Sequence, residues 1–284
     1  LIPLFVILGI IAYIFCTDCH FGGKNKVSIA IQGKEGEIIV STFDPEAGEI
    51  TNITIPANTQ LTVSRQLGSW KSKSLWKLGE NEKMGGVLMQ ESIVRNFHFP
   101  VSAWANDKHL ALAEGKIFPM LGSLFSFGGS NMGFGDKINL IIYSLGVSGG
   151  KRIDMNLENT SYLRKEKLVD GEMGYVPTSK IPNNLLVVFG SQEYGRMGYK
   201  AVIKDNTGKL YVAQEVGSTL EVLGIKAASV DKGEKMDFDC LVRGENKTMV
   251  NEVSLIYSCG KKYEKPEGNF DLVVELGEKF GKRY

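Results

Sequence analysis

Residues 37–59 read EIIVSTFDPEAGEITNITIPANT. The run EIIVSTF is rich in β-branched and aromatic residues, DPEAG supplies turn chemistry, and ITNITI alternates until Pro56 stops it. Upstream, VSIAI at 27–31 alternates in the same way. Three neighbouring strands joined by short connections therefore open the body of the protein.

Downstream the pattern changes period. Trp70 to Met84 is polar and Lys-rich and gives no element, whereas Val87 to Asn96, opened by Gly85-Gly86, has helical spacing. PVSAWA at 100–105 returns to strand, and Lys108 to Lys116 and Lys137 to Leu145 read as helices. Between them, Pro119 to Asp136 is dense in Gly and Phe but lacks GxGxxG before a helix, so it reads as a packing loop. Ile153 to Leu157 is a strand. Leu168 to Pro182, polar and carrying Pro177 and Pro182, is the linker candidate.

A second unit starts near Asn183. Leu185 to Phe189 is an apolar run, Tyr199 to Lys204 a strand, and Asp205 to Gly208 a turn. Tyr211 to Leu223 is a helix capped by Gly224; strands at 225–230 and 238–243, a helix at 247–258 and a strand at 270–276 complete a β-α-β-β-α-β order. The division is thus 27–182 and 183–284, in an α/β class.

Upstream of everything, LIPLFVILGIIAYIFC at 1–16 carries no charge. It is a little short of the ~20 residues that span a bilayer as a helix, and the sequence begins at Leu1 rather than Met. Tyr-Ile-Phe before Cys16 suits neither a signal-peptidase site nor a lipoprotein signal. A buried core helix is the bland alternative. A run apolar on all faces at the start of a chain favours a membrane anchor over it. Lys24 and Lys26 hint at a cytoplasmic flank.

Composition narrows the function only by exclusion. The 284 residues carry a net charge of +1 and 33 basic residues without a basic block, so no nucleic-acid partner is expected. No nucleophile elbow, HExxH, P-loop or paired-carboxylate signature is present. His20, His98 and His109 are scattered, and His98 and His109 sit among apolar neighbours where a structural role is expected. Arg65, Arg95, Arg152 and Arg164 could bind phosphate or simply be solvated. Asp237 and Asp239 are expected to face solvent. Cys16 and Cys19 have metal-like spacing with no second pair, and Cys240 and Cys259 form another local pair.

The order of segments resembles the LytR-CpsA-Psr family over about Val27 to Leu157. The apolar strand, the Asp44-Pro45 turn, the T-I-P-A-N-T run at 54–59, Lys77-Leu78, Gly85-Gly86 and NFHFPVSAWA at 96–105 carry the likeness. Tyr199 to Phe280 resembles the domain found at the C-terminus of the LytR branch, through AVIKDNTG, LEVLGIK and FDLVVELGEKF. The resemblance implies one transmembrane helix over 1–16 and an LCP-like α/β sandwich at 27–182. A small βαββαβ domain at 183–284 would complete the body. It also implies an extracytoplasmic body on the bacterial cytoplasmic membrane, transferring lipid-linked glycopolymers to peptidoglycan, and in that setting a Cys240–Cys259 disulfide is permitted.

The departures are chemical. Where the family's I-P-R-D motif carries Arg and Asp, this chain follows Pro56 with Ala57 and Asn58. The Asp-x-Arg after the first strand is absent, and the metal-binding Asp falls near Gly36, with only Glu35 or Glu37 as substitutes. Arginines grip a pyrophosphate through paired charge-assisted hydrogen bonds, a geometry that neither alanine nor one lysine reproduces. The expectation is a non-catalytic binding or scaffold protein without cofactor, its partner a cell-wall glycopolymer or peptidoglycan. The alternative is a divergent phosphotransferase or pyrophosphatase with Mg²⁺ on Glu35 or Glu37 and phosphate on Arg65, Lys77 or Arg95. A sensor acting through the anchor is a third reading.

Overall fold

The computed structural model describes residues 21–23, 25–126, 128–178 and 180–284. The apolar run, Cys16, Cys19 and His20 lie outside those residues. Among the described residues no helix is long and apolar enough to cross a membrane. The class is mixed α/β.

The opening strands are as the sequence reads. β1 (Val27–Gln32), β2 (Ile38–Asp44) and β3 (Glu49–Ile55) form an antiparallel meander, with Ile31 opposite Ile39 and Val40 opposite Ile53. Both faces of this sheet are covered. Ala30, Ile38, Val40, Ile53 and Ile55 point into one core, while Ile29, Ile31, Phe43 and Ile50 point into another. This is why the alternation in the sequence is imperfect: with both faces buried, neither parity of the strand has to be polar. Residual polar positions pair across strands, Ser28 with Thr42 at 2.9 Å and Ser41 donating to Asn52 at 2.9 Å.

After the hairpin of β4 (Gln60–Thr62) and β5 (Ser69–Lys71) comes α1 (Ser72–Asn81), in the stretch whose composition gave no element. Its signal is weak because only Ser72, Leu75 and Gly79 are buried along it. α2 (Val87–Phe97) follows Gly85-Gly86, where a Cβ on Gly86 would lie 2.4 Å from the Trp104 ring. β6 (Ala103–Ala105) then pairs parallel to β1. α3 (Leu110–Glu114), α4 (Ile117–Leu124) and α5 (Phe134–Gly146) cover the second face. α4 lies largely inside what reads as a packing loop, because Pro119 sits in the first turn of the helix, where its missing N–H costs nothing. β7 (Arg152–Asn156) completes the order β6-β1-β2-β3-β7.

The linker expectation fails in part. β8 (Leu163–Lys167) and β9 (Met173–Pro177) form a hairpin through it, and Lys71 ties the turn down through Asp170 and Glu172. Pro177 is tolerated because it ends the strand.

In the second unit, the apolar run is a helix, α6 (Asn183–Phe189), followed by α7 (Gln192–Met197). β10 (Lys200–Asp205), α8 (Val212–Leu223), β11 (Lys226–Lys232), β12 (Cys240–Gly244) and α9 (Lys247–Tyr257) match expectation. Gly224 takes φ +97° at the end of α8, a conformation that favours glycine. Beyond the expected order lie β13 (Gly260–Tyr263), β14 (Leu272–Leu276) as the predicted final strand, and α10 (Glu278–Arg283). β13 gave no apolar signal because all four of its residues are exposed. The sheet runs β11-β10-β14-β12-β13, and one core cluster holds buried residues of both units.

Candidate functional site

The residues assigned to phosphate or metal do not converge. Pro56, Ala57 and Asn58 form the bend after β3, and its carbonyls are engaged by protein. Pro56 O accepts from Ser72 Oγ at 2.6 Å, Ala57 O from the Lys73 N–H at 3.1 Å, and Asn58 O from the Tyr175 N–H at 3.2 Å. The start of α1 and strand β9 thus close over the motif bend.

Arg65 turns instead to Glu91 on α2, donating from Nη2 at 2.9 Å and Nε at 3.2 Å. Glu91, with its side chain only 7% exposed, also accepts from Ser64 Oγ at 2.5 Å and from Arg283 Nη1 at 3.1 Å. Arg283, at the end of α10, further donates to Asp239 at 2.8 Å and to the Tyr257 carbonyl at 2.6 Å. The pair Asp237 and Asp239 therefore divides: Asp237 stays exposed beside Lys279, but Asp239 is drawn into this cluster. Arg95 stands 5.8 Å from the centre of the Tyr284 ring and 4.0 Å from Glu215. Burial raises the Glu215 carboxyl above its ordinary value, against the pull of Arg95. Both arginines are thus part of a latch between the units.

Lys77 is exposed on α1. At the tip of the β1–β2 turn, Glu37 accepts from the Glu35 N–H at 3.0 Å, which fixes the turn. No group of three or more His, Cys, Asp or Glu is gathered among the described residues. Glu35 and Glu37 are thus not joined by a third such side chain. Arg152 is equally engaged, donating to the carbonyls of Ala113 and Ser144.

The histidines behave as apolar-site residues. Burial lowers both, His109 to about 4, where nearby Lys137 adds to the effect. His109 pairs through Nδ1 with Asn106 at 2.9 Å. His98 closes α2 at φ +53°. Cys240 and Cys259 are joined as a disulfide, with Cα atoms 5.0 Å apart.

One concave site lies elsewhere, in a cleft of about 260 Å³ between β1, α5 and α9, with larger clefts of about 620 and 580 Å³ on the second unit. Its floor is apolar, from Ile29, Ala103, Leu140 and Leu255; its polar groups are mainly Asn25, Asn131 and Asn251 with the carboxyls of Asp136 and Glu252. Lys26 is the only Lys or Arg among the described lining residues. It is held by Asp44 at 2.8 Å and by the carbonyls of Val188 and Gly190 at 2.9 Å each, so it fastens the start of β1 to the C-terminal end of α6. Lys26, which follows the apolar run in the sequence, is thus an inter-unit contact. Glu252 accepts from Tyr194 Oη at 2.8 Å, and burial lifts its carboxyl to about 7. Sequence reasoning missed this site because its residues come from segments more than two hundred positions apart and match no motif.

No family model matches this sequence, and no curated relative does. Solved structures of the LytR-CpsA-Psr family are similar to it. TagV of B. subtilis is 11% identical at a TM-score of 0.39, over 55% of this chain and 92% of that one. A protein titled transcriptional regulator from Enterococcus faecalis is 10% identical at 0.39, over 74% and 92% respectively. TagT of B. subtilis is 12% identical at 0.26, over 89% and 86%. At these scores the likeness carries no argument about ligand or activity.

Proposed function

We propose that this chain is a membrane-anchored, envelope-facing binding protein of the LytR-CpsA-Psr type that lacks transferase chemistry. Its body would stand outside the bacterial cytoplasmic membrane, with the 183–284 unit as the LytR C-terminal-like domain. One observation carries the reading. The arginines assigned to phosphate are engaged by carboxylates, Arg65 with Glu91 and Arg95 with Glu215, at the junction of the two units.

The cleft supports a neutral, hydroxyl-rich ligand. Over an apolar floor the amide N–H groups of Asn131 and Asn251 offer donors to sugar hydroxyls, while the Asn131 oxygen is held by the Trp104 N–H, the Asn251 oxygen by Lys261 and Tyr263, Asp136 by the Phe21 N–H and Glu252 by Tyr194. A pyrophosphate would meet one lysine there, already held by Asp44, and two acids. A cell-wall glycan is therefore the ligand class proposed. What weighs against the divergent-transferase alternative is that none of Glu35, Glu37, Arg65, Lys77 and Arg95 lines this cleft.

Calorimetry on the purified full chain tests this. Peptidoglycan or glycopolymer fragments are expected to bind, and N251A and N131A to weaken them about tenfold each, the worth of a hydrogen bond or so. Mg²⁺-dependent hydrolysis or transfer of a polyprenyl-pyrophosphate substrate would overturn the reading.

A further inference from the structure

The helices α4 and α5 expose an apolar face. Ile117, Phe118, Leu121 and Phe125 fall on one side of α4 and its C-terminal cap, and Ile142 and Leu145 on the outer side of α5. Phe118 is 87% exposed and Phe125 70%. The side of α4 turned inward carries Met120 and Ser123, both buried, so the exposed side is not the hydrophobic face of a helix turned the wrong way. From Ile117 to Gly135 the sequence holds no charged residue. An apolar face of this kind on a polar protein marks a surface that meets something other than water.

The chain itself indicates what that is. Phe21 is fastened to the flank of α5: its N–H donates to Asp136 at 2.7 Å, its carbonyl accepts from Asn139 at 2.8 Å, and its ring meets Tyr143 edge-on at 6.2 Å. The charge-free run ends at Cys16. Five residues span at most about 17 Å, and a helix with its side chains is about 10 Å across. A bilayer that holds residues 1–16 therefore lies within reach of the α4–α5 face.

We propose that this face lies in the lipid interface, with Phe118, Leu121 and Phe125 inserted among acyl chains beside the anchor. The inference rests on the anchoring reading and adds a second, peripheral contact to it. Two contacts on neighbouring sides of one helix would fix the orientation of the body, where a single tether would leave it free to swing.

The test uses the full chain in phosphatidylethanolamine–phosphatidylglycerol vesicles containing a lipid with a photoreactive acyl chain, with adducts mapped by mass spectrometry. Adducts are expected on 117–125 and 134–146 as well as on 1–16. F118D and L121D should remove most of those on 117–125 while leaving the thermal midpoint of the protein unchanged. Adducts confined to 1–16 would overturn the proposal and leave the anchor standing. Adducts on 117–146 without any on 1–16 would support the lipid face and sink the anchor. Protein cross-links from 1–16 to α4, in place of lipid adducts there, would make this chain's own segment the occupant and overturn the proposal. The absence of any adduct would overturn both.

Discussion

At the junction of the two units, charged side chains lie out of water, with Glu91 7% exposed and Arg283 12%. On α4 the reverse holds, and Phe118 stands 87% in solvent. Both regions depart from the ordinary partition of polar outside and apolar inside, for different reasons. The buried charges are satisfied within the molecule, since Glu91 has Ser64, Arg65 and Arg283 as donors. The exposed apolar groups are not, and need a surface that this chain's described residues do not supply. A latch made of paired charges holds position; an apolar face with no cover calls for a neighbour.

The largest break in this comparison comes at the latch. E91A leaves Arg65 and Arg283 facing each other without their shared carboxylate, and should cost about 3–5 kcal/mol in urea unfolding. An effect no larger than a surface ion pair would show that the units are held mainly by their shared core. Removing the disulfide as C240S/C259S should cost about 3 kcal/mol, since the bridge closes a loop with a sequence separation of 19. That loss falls beside the latch, since Arg283 Nη2 lies 3.4 Å from Cys240 Sγ, and should leave the Arg65–Glu91 coupling within the first unit unchanged.

Glu252 gives a third test, through pH. Its carboxyl is lifted to about 7 from an ordinary 4.5, so between those values the folded protein binds more protons than the unfolded chain. Stability should therefore fall as pH rises through that window and flatten above it. E252Q should abolish the slope and be about 1–2 kcal/mol more stable than the parent at pH 8. A parent without the slope would show that the cleft is better hydrated than its packing implies. R95A removes a cation from the Tyr284 ring and from Glu215, and should cost about 1 kcal/mol. Smallest of all, F118D should shift unfolding by less than about 0.5 kcal/mol, because the ring has little to lose in the isolated body. A large loss there would mean that the face is covered within the chain.

Much of this architecture is legible in residue order. The meander at 27–55 and the helices at 87–97, 212–223 and 247–257 show periodicity because each buries a continuous face. α1 and β13 escape notice for the opposite reason: α1 buries three of its residues and β13 none. The site was less legible. Arg65 and Arg95 look like phosphate ligands in sequence, since nothing local shows that Glu91 and Glu215 wait across the fold.

The sequence by itself determined the α/β class, the strand-turn-strand opening at 37–55, the uncharged Ala57 and Asn58 after Pro56, and the charge-free run at 1–16. These are properties of composition and local period, which act over a few residues. Tertiary structure alone decided which carboxylate each arginine meets, that Asn131 and Asn251 share a cleft, and that the apolar residues of α4 face outward. Ion pairing, burial and exposure depend on what lies across space, and segments more than one hundred residues apart in the chain meet only in the folded molecule.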